Sequence, residues 1–254
     1  MDGEMFSVDG YSELLSAIVR YGYSTITIPE LNCSRSRQII MRHDIDFCMD
    51  YARDMARLEA LAGIRATYYV MLRSPMYNLF SRHDSAMLRE ILDLGHDVGL
   101  HYDAKWTEIQ GSDHEKEICF EAETLEKLCG SPVTSFSIHQ PDSRMMSHSL
   151  TAGELVNLYD QKHFDGFAYV SDSNRDWRGK DIFGILASGK NVQLLTHPMW
   201  WICDEPTTED CWDLAIERNF QSAQRQILET ERAYGPAREL VVRRRDGGNA
   251  GGTE

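Results

Sequence analysis

Short apolar runs and amphipathic stretches take turns along this chain. Residues 9 to 22 place Tyr11, Leu14, Leu15, Ile18 and Val19 at helical spacing, so a packing helix is expected there. After Ser24 to Pro29 and a polar Ser/Arg linker, Ile39 to Met41 reads as the first core strand. Met49 to Ala62 repeats apolar residues at Ala52, Met55, Ala56 and Leu58 and stops at Gly63, as a helix with a C-terminal glycine does. Ala66 to Leu72, rich in aromatic and branched residues, is expected to be a buried strand. Ser85 to Leu94 reads as a helix ended by Gly95, His96 to Tyr102 as a strand, Asp113 to Cys129 as a helix and Thr134 to His139 as a strand. Phe167 to Ser171 and Asn191 to His197 are two further strands, and Thr208 to Tyr234 a long terminal helix. Repeated strand and helix units imply a parallel sheet with right-handed crossovers, closed as a barrel or left open.

The polar residues choose between these two. Asp44 and Asp46, His101 and Asp103, His139, Asp172 and His197 each follow a predicted strand. A βα barrel draws its reacting groups from the carboxyl ends of several strands, whereas an open sheet concentrates them at one crevice. The barrel is therefore expected.

Composition narrows the picture further. A chain of 254 residues with 42% hydrophobic content supplies one sizeable core. One domain over residues 1–245 is expected, followed by a polar, Gly-rich flexible tail at 246–254. A net charge of −14 lacks the basic counter-patch that nucleic acid or an anionic membrane surface requires; Arg243 to Arg245, beside the tail, read as a solvated end. The acidic start Met1 to Glu4 lacks the basic-then-apolar order of a secretory signal, and no apolar run reaches membrane-spanning length. The six cysteines form no CxxC pair and read as reduced thiols, so a cytoplasmic address is expected.

The candidate chemistry centres on Arg42-His43-Asp44-Ile45-Asp46. Carboxylates at i and i+2 point to the same side of an extended backbone. Two like charges there call for a metal, an arginine or a shared proton. The alternative is an Asp-rich turn before the helix that follows Asp50. A zinc-type ion takes imidazole nitrogen and carboxylate oxygen and keeps one position open for water. Asp46, His101 and one more ligand would suffice, with Asp44 accepting a proton and a histidine protonating the leaving group. Such a set hydrolyses an amide or an ester.

Five segments in order, Arg42 to Asp46, Ala66 to Tyr69, Gly95 to His101, Ser135 to Pro141 and Leu194 to Pro198, resemble the polysaccharide deacetylases, carbohydrate esterase family 4. The resemblance covers residues 38 to about 201. It implies a distorted, incomplete (β/α) barrel of about seven parallel strands and metal-dependent N-deacetylation of acetamido sugars. It also implies that Asp44 is the general base, Asp46 and His101 are metal ligands and His197 is the general acid. Asp172, Trp177 and Arg178 correspond to the motif that lines the pocket and orients the acid.

Two positions depart from the family pattern. Lys105 stands where the second metal histidine belongs, and Gln140 where an arginine pairs with the base. Three repairs are open: His139 as the third ligand, Asp103 as the third ligand, or no metal. His139 is preferred, because a neutral nitrogen balances two carboxylates. The other histidines read as structural (His96, and His43 turned towards a helix) or exposed (His83, His114, His148 and His163). Tyr102 and one of Trp200 and Trp201 are expected to contact substrate, Trp200 being preferred; Tyr68 and Tyr69 read as strand core. Arg42, Arg73, Lys105 and Arg178 are candidates to meet a nucleotide diphosphate.

The resulting expectation is a hydrolase of non-peptide C–N bonds with one divalent metal, Zn²⁺ first, Fe²⁺ and Co²⁺ also fitting such ligands. Its substrate would be an N-acetyl amino sugar in a small, nucleotide-linked or glycan precursor. No nucleic-acid partner and no membrane insertion are expected, and a homo-oligomer is compatible. A cyclic amide or ureide hydrolase of the same fold and an inactive sugar-binding protein are the alternative readings that Lys105 and Gln140 keep open.

Overall fold

A computed structural model describes residues 5–142, 145 and 150–233. The proposed tail, the basic run Arg243 to Arg245, His148 and the end of the terminal helix at Tyr234 lie outside the described residues. The strands are β1 (Ser24–Thr25), β2 (Gln38–Ile45), β3 (Thr67–Val70), β4 (Asp97–Tyr102), β5 (Ser135–Ile138), β6 (Val156–Asn157), β7 (Phe167–Ser171) and β8 (Asn191–Thr196). Their order across the sheet is β6-β5-β4-β3-β2-β8-β7, with β1 paired to β2, and every pairing is parallel. Strands β2 to β6 thus lie side by side in chain order, β7 pairs with β8, and β8 returns to β2. That is the order of a (β/α) barrel whose seam between β6 and β7 is left open among the described residues. The fold is a distorted barrel of seven parallel strands in sequence, with the two-residue β1 added at the rim.

The helices are α1 (Val8–Arg20), α2 (Met49–Leu61), α3 (Arg82–Asp93), α4 (Ala104–Gln110), α5 (His114–Cys129), α6 (Ile182–Ser188), α7 (Pro198–Ile202) and α8 (Thr208–Thr230). Their starts follow local chemistry. Ser7, Ser81, Asp103, Asp113 and Thr207 each accept a backbone N–H of the first helical turn. Ser81 moves the start of α3 three residues ahead of the hydrophobic pattern, and Asp103 opens a helix that periodicity alone did not mark.

Strand alternation sorts the core into two. Outward residues such as Ile39, Met41, Tyr68, Leu100, Phe136 and Leu194 join the large cluster under the helices. Inward residues such as Ile40 and Tyr69 join a smaller cluster with Ile26, Ile28, Leu158 and Phe164 that fills the barrel floor. Tyr69 reaches across the interior from β3 to β5, where its hydroxyl lies 2.7 Å from Ser135 Oγ. The strand it crosses offers Gly99, where a Cβ would fall 2.3 Å from the Tyr69 ring. Glycine is what lets this tyrosine lie there. Val19, counted in the α1 stripe from spacing, is 55% exposed at its edge.

Candidate active site

The inward residues of β2 are Ile40, Arg42 and Asp44, and Asp46 follows on the same side just past the strand end. The i, i+2 spacing therefore brings both carboxylates to the carboxyl-end face of the barrel. There they meet side chains from three other strand ends. Asp46 Oδ1 lies 3.1 Å from His101 Nε2 and 3.2 Å from His139 Nδ1, and the two ring nitrogens are 3.1 Å apart. The rings stand nearly perpendicular, at 89°. His101 Nδ1 lies 2.6 Å from Ser137 Oγ. With that nitrogen as donor, Nε2 keeps its lone pair for the cluster.

These donors fit a metal ion. Two imidazole nitrogens and a carboxylate oxygen all lie within 4.8 Å of one another. Ligands about 2.0–2.1 Å from zinc in a tetrahedron are themselves about 3.3–3.4 Å apart, close to the separations in this cluster. Asp103 caps α4 by accepting the Trp106 N–H at Oδ1 and is not one of the three converging groups. Lys105 is 78% exposed and pairs with Glu108 at 3.6 Å, directed away from the cluster.

Asp44 has a different partner. Arg42, two residues earlier on the same strand, donates from Nη2 to Asp44 Oδ2 at 2.8 Å, with both side chains buried. Its guanidinium lies 5.7 Å from the ring centre of Tyr69 and 5.1 Å from that of Tyr159. An arginine thus meets the carboxylate from the strand itself, while Gln140 takes a left-handed backbone at φ 44° and lines the pocket. Burial pushes the Asp44 carboxyl up, but the charges of Arg42, His101 and His197 outweigh it and hold the pKa below the usual value. Asp46 is also depressed: burial acts to raise it, and the adjoining His101 and His139 imidazoles, with the His197 charge, outweigh burial. Asp44 Oδ1 is buried with no hydrogen-bond partner among the described residues.

His197 closes the far side. Its Nδ1 lies 2.6 Å from Asp172 Oδ1 and its backbone N–H donates to Asp172 Oδ2 at 3.0 Å. Trp201 Nε1 donates to the same Oδ2 at 2.8 Å. The free Nε2 faces Asp46 Oδ2 at 3.9 Å. Burial lowers the imidazole pKa, yet the Asp172 charge and hydrogen bond, with Asp46 and Asp44, raise it to about 9. These carboxylates favour the protonated imidazole.

Several sequence expectations are relocated by these contacts. Tyr102 does not reach the pocket: it alternates outward from His101, is fully buried, and places its hydroxyl 2.6 Å from Thr107 Oγ1 and 2.8 Å from His114 Nδ1. Trp177 is likewise a core residue, packed against Phe6 and Trp201 with its indole N–H on Met5, so it supports the Asp172 donor from behind. Asp172 is fully buried and touches His197 rather than the pocket. Trp200 and Arg178 do line the cavity, and Trp201 faces the core. His114, His83 and His163 are half-buried rather than exposed.

Of the cations proposed for a diphosphate, Arg42 is paired with Asp44. Arg73 is held by Glu117 and Glu121 against the Trp106 ring. Lys105 is directed away. Among the described residues, Arg178 alone of the four lines the pocket without an ion pair. Sequence reasoning missed Ser137 and Tyr159; the alternation Ser135, Ser137, His139 carried the signal for the first. All six cysteines are free thiols.

No protein-family model and no curated protein matches this chain. Among solved structures it is similar to a carbohydrate esterase of family 4 from Streptococcus mutans, at 13% identity over 81% of this chain and 90% of that one, with a TM-score of 0.42. It is also similar to a family 4 carbohydrate esterase from Bacillus anthracis, at 13% identity over 83% and 86%, with a TM-score of 0.35. A third structure, a pseudoenzyme of the same family from Bacillus anthracis, matches at 11% identity over 74% of this chain, with a TM-score of 0.37. The chain spans 62% of that protein's length. Likeness at this level carries no functional weight, so the reading that follows rests on the residues themselves.

Proposed function

We propose that this chain is a metal-dependent amide hydrolase that removes the acetyl group from an N-acetyl amino sugar. One observation carries the reading: Asp46, His101 and His139 converge on one point between an arginine-paired carboxylate and a carboxylate-paired histidine. A divalent cation at that point, zinc being the first choice, would polarise the amide carbonyl and acidify water. The remaining steps belong to the chain's own groups. Asp44, kept ionised by Arg42, takes a proton from the attacking water. His197, kept protonated by Asp172, gives its proton to the amine nitrogen as the C–N bond breaks, releasing acetate and the free amine. Asp172 and Trp201 fix the imidazole so that Nε2 points to the reacting centre.

The acidic chain favours a neutral or locally neutralised sugar over a polyanion. A cytoplasmic precursor, small or linked to a carrier, is the proposed substrate, acted on by one domain over residues 1–245. Among the described residues no helix is long and apolar enough to cross a membrane. The test is acetate release from N-acetylglucosamine glycosides by zinc-loaded protein. Release that disappears in Asp44→Asn and His197→Ala is expected. Release that persists in both variants would refute the assignment.

A further inference from the structure

The cavity above the metal-type cluster measures about 740 Å³, towards the upper end of the range of about 300–1,000 Å³ for ligand pockets. Its lining divides by strand. The ends of β8, β2 and β3, contiguous in the sheet, the short helix α7 after β8 and the start of α8 contribute Leu195, Trp200, Phe47, Met71, Pro75, Met76 and Trp212. None of these carries a charge, and only the two indoles carry a side-chain polar atom. The opposite wall comes from β5, β6 and β7 at the two edges of the sheet. It presents Gln140, Tyr159, Tyr169, Ser171, Ser173, Asn174 and Arg178, with Ile138 and Pro141 as its apolar exceptions. His101, His139, His197 and Asp46 lie between the two walls.

The apolar wall runs from floor to rim. Met71 and Trp200 are 4% and 5% exposed, whereas Trp212, whose ring centre lies 6.4 Å from that of Trp200, is 40% exposed. Trp200 Nε1 is buried without a hydrogen-bond partner among the described residues, a donor left available at the junction of the walls. Asn219 of α8 donates to the Phe47 carbonyl at 3.0 Å and holds the loop that carries this wall. The hydroxyl edge of a sugar suits the polar wall, and its C–H face can stack on one indole, but a single ring does not cover an apolar wall that runs from Met71 to Trp212.

We infer that the substrate is amphipathic. The N-acetylated sugar lies against the polar wall, and an apolar or aromatic aglycone attached to it lies along Phe47, Met76, Trp200 and Trp212. This inference rests on the deacetylase reading and names its substrate class. The aglycone's contribution grows with each buried methylene, several-fold per group at full burial.

The experiment compares octyl and methyl N-acetyl-β-glucosaminides below the micelle-forming concentration, in two readouts. For acetate release by the zinc-loaded enzyme, kcat/KM is expected to favour the octyl glycoside by at least about tenfold, and Trp212→Ala to cut that ratio by about fivefold. For binding to the Asp44→Asn variant, followed by tryptophan fluorescence, the octyl glycoside is expected to bind tighter by a similar factor. Equal kcat/KM for the two glycosides, or equal binding, overturns the inference and leaves the deacetylase reading standing. Tighter octyl binding with no hydrolysis of either glycoside supports the amphipathic cavity and removes the deacetylase. A dimer in light scattering that dissociates in Trp212→Ala would make a second copy the occupant of this wall, and would also overturn the inference.

Discussion

The two faces of β2 carry the same kinds of side chain to opposite ends. On the barrel side, Asp44 and Asp46 meet His101, His139 and His197. On the helix side, His43 meets Glu59, with Tyr11, Tyr68 and His96 around it. The rear cluster is saturated. Glu59 Oε1 accepts from Tyr11 at 2.6 Å and from His43 Nε2 at 2.8 Å, and Oε2 accepts from Tyr68 at 2.6 Å. His43 Nδ1 accepts from Thr196 at 2.7 Å, and His96 is used up between the Ala66 N–H and the Ala56 carbonyl. The front cluster keeps capacity in reserve: one oxygen of Asp44, the lone pairs converging beside Asp46, and Nε2 of His197. A buried polar network with every member satisfied rigidifies a core, whereas one with spare donors and acceptors facing a cavity can take a ligand. The rear cluster also joins the β2 segment that carries Asp44 to the β8 segment that leads into His197, since His43 and Thr196 are paired in register.

Substitutions can break that contrast. The largest effects belong to the front. Asp44→Asn is expected to lower turnover by about 10²–10⁴-fold while metal stays bound, whereas Asp46→Ala and His101→Ala lose metal and activity together. Paired activity and metal assays distinguish the two classes. Glu59→Ala strikes the rear. Removing the acceptor of three buried donors should cost about 3–5 kcal/mol and lower the melting temperature by about 10 °C, with metal still bound by the folded fraction. A thermal melt of the zinc-loaded protein checks it, and a melt unchanged within a degree would contradict the saturated-core account.

A smaller effect concerns protonation. Burial acts to lower the His197 pKa, and Asp172 is the largest influence raising it towards about 9. Because the acid must be protonated, kcat/KM should fall as pH rises through that pKa. A cation beside Asp46 pulls this limb below about 9 by cancelling part of the carboxylate charge. Asp172→Asn should move the limb further down, and a limb that stays put would remove Asp172 from its positioning role. The smallest effect is expected at Lys105, where Lys105→Ala should leave metal content and turnover unchanged, because that side chain points into solvent.

Much of the architecture was legible in the chain. Apolar runs at Ile39 to Met41 and within Asn191 to His197, and glycine stops at Gly63, Gly95 and Gly130, mark strands and helix ends through local physics. The two-residue strands β1 and β6 left no such signal, because they exist only through pairing with β2 and β5. In the site, the Asp44 and Asp46 spacing carried over directly, as did the opposite facing of His43. Tyr102 and Trp177 were misplaced for a shared reason. Proximity in sequence to a site residue says nothing about which side of the sheet a neighbour takes, and Trp177 is turned inward by packing against Phe6, which lies far away in the chain. The Arg42 partnership with Asp44 was legible from i, i+2 alternation, but its sequence neighbourhood gave it equal standing as a ligand-binding cation.

The central claim is that His139 completes a metal site with Asp46 and His101. The direct measurement is metal content per chain, by elemental analysis of protein purified without chelator and reconstituted with zinc, in the parent and in His139→Ala. About one equivalent in the parent and its loss in the variant is the expected result. Full occupancy retained in folded His139→Ala, or no metal in the reconstituted parent, would contradict the account.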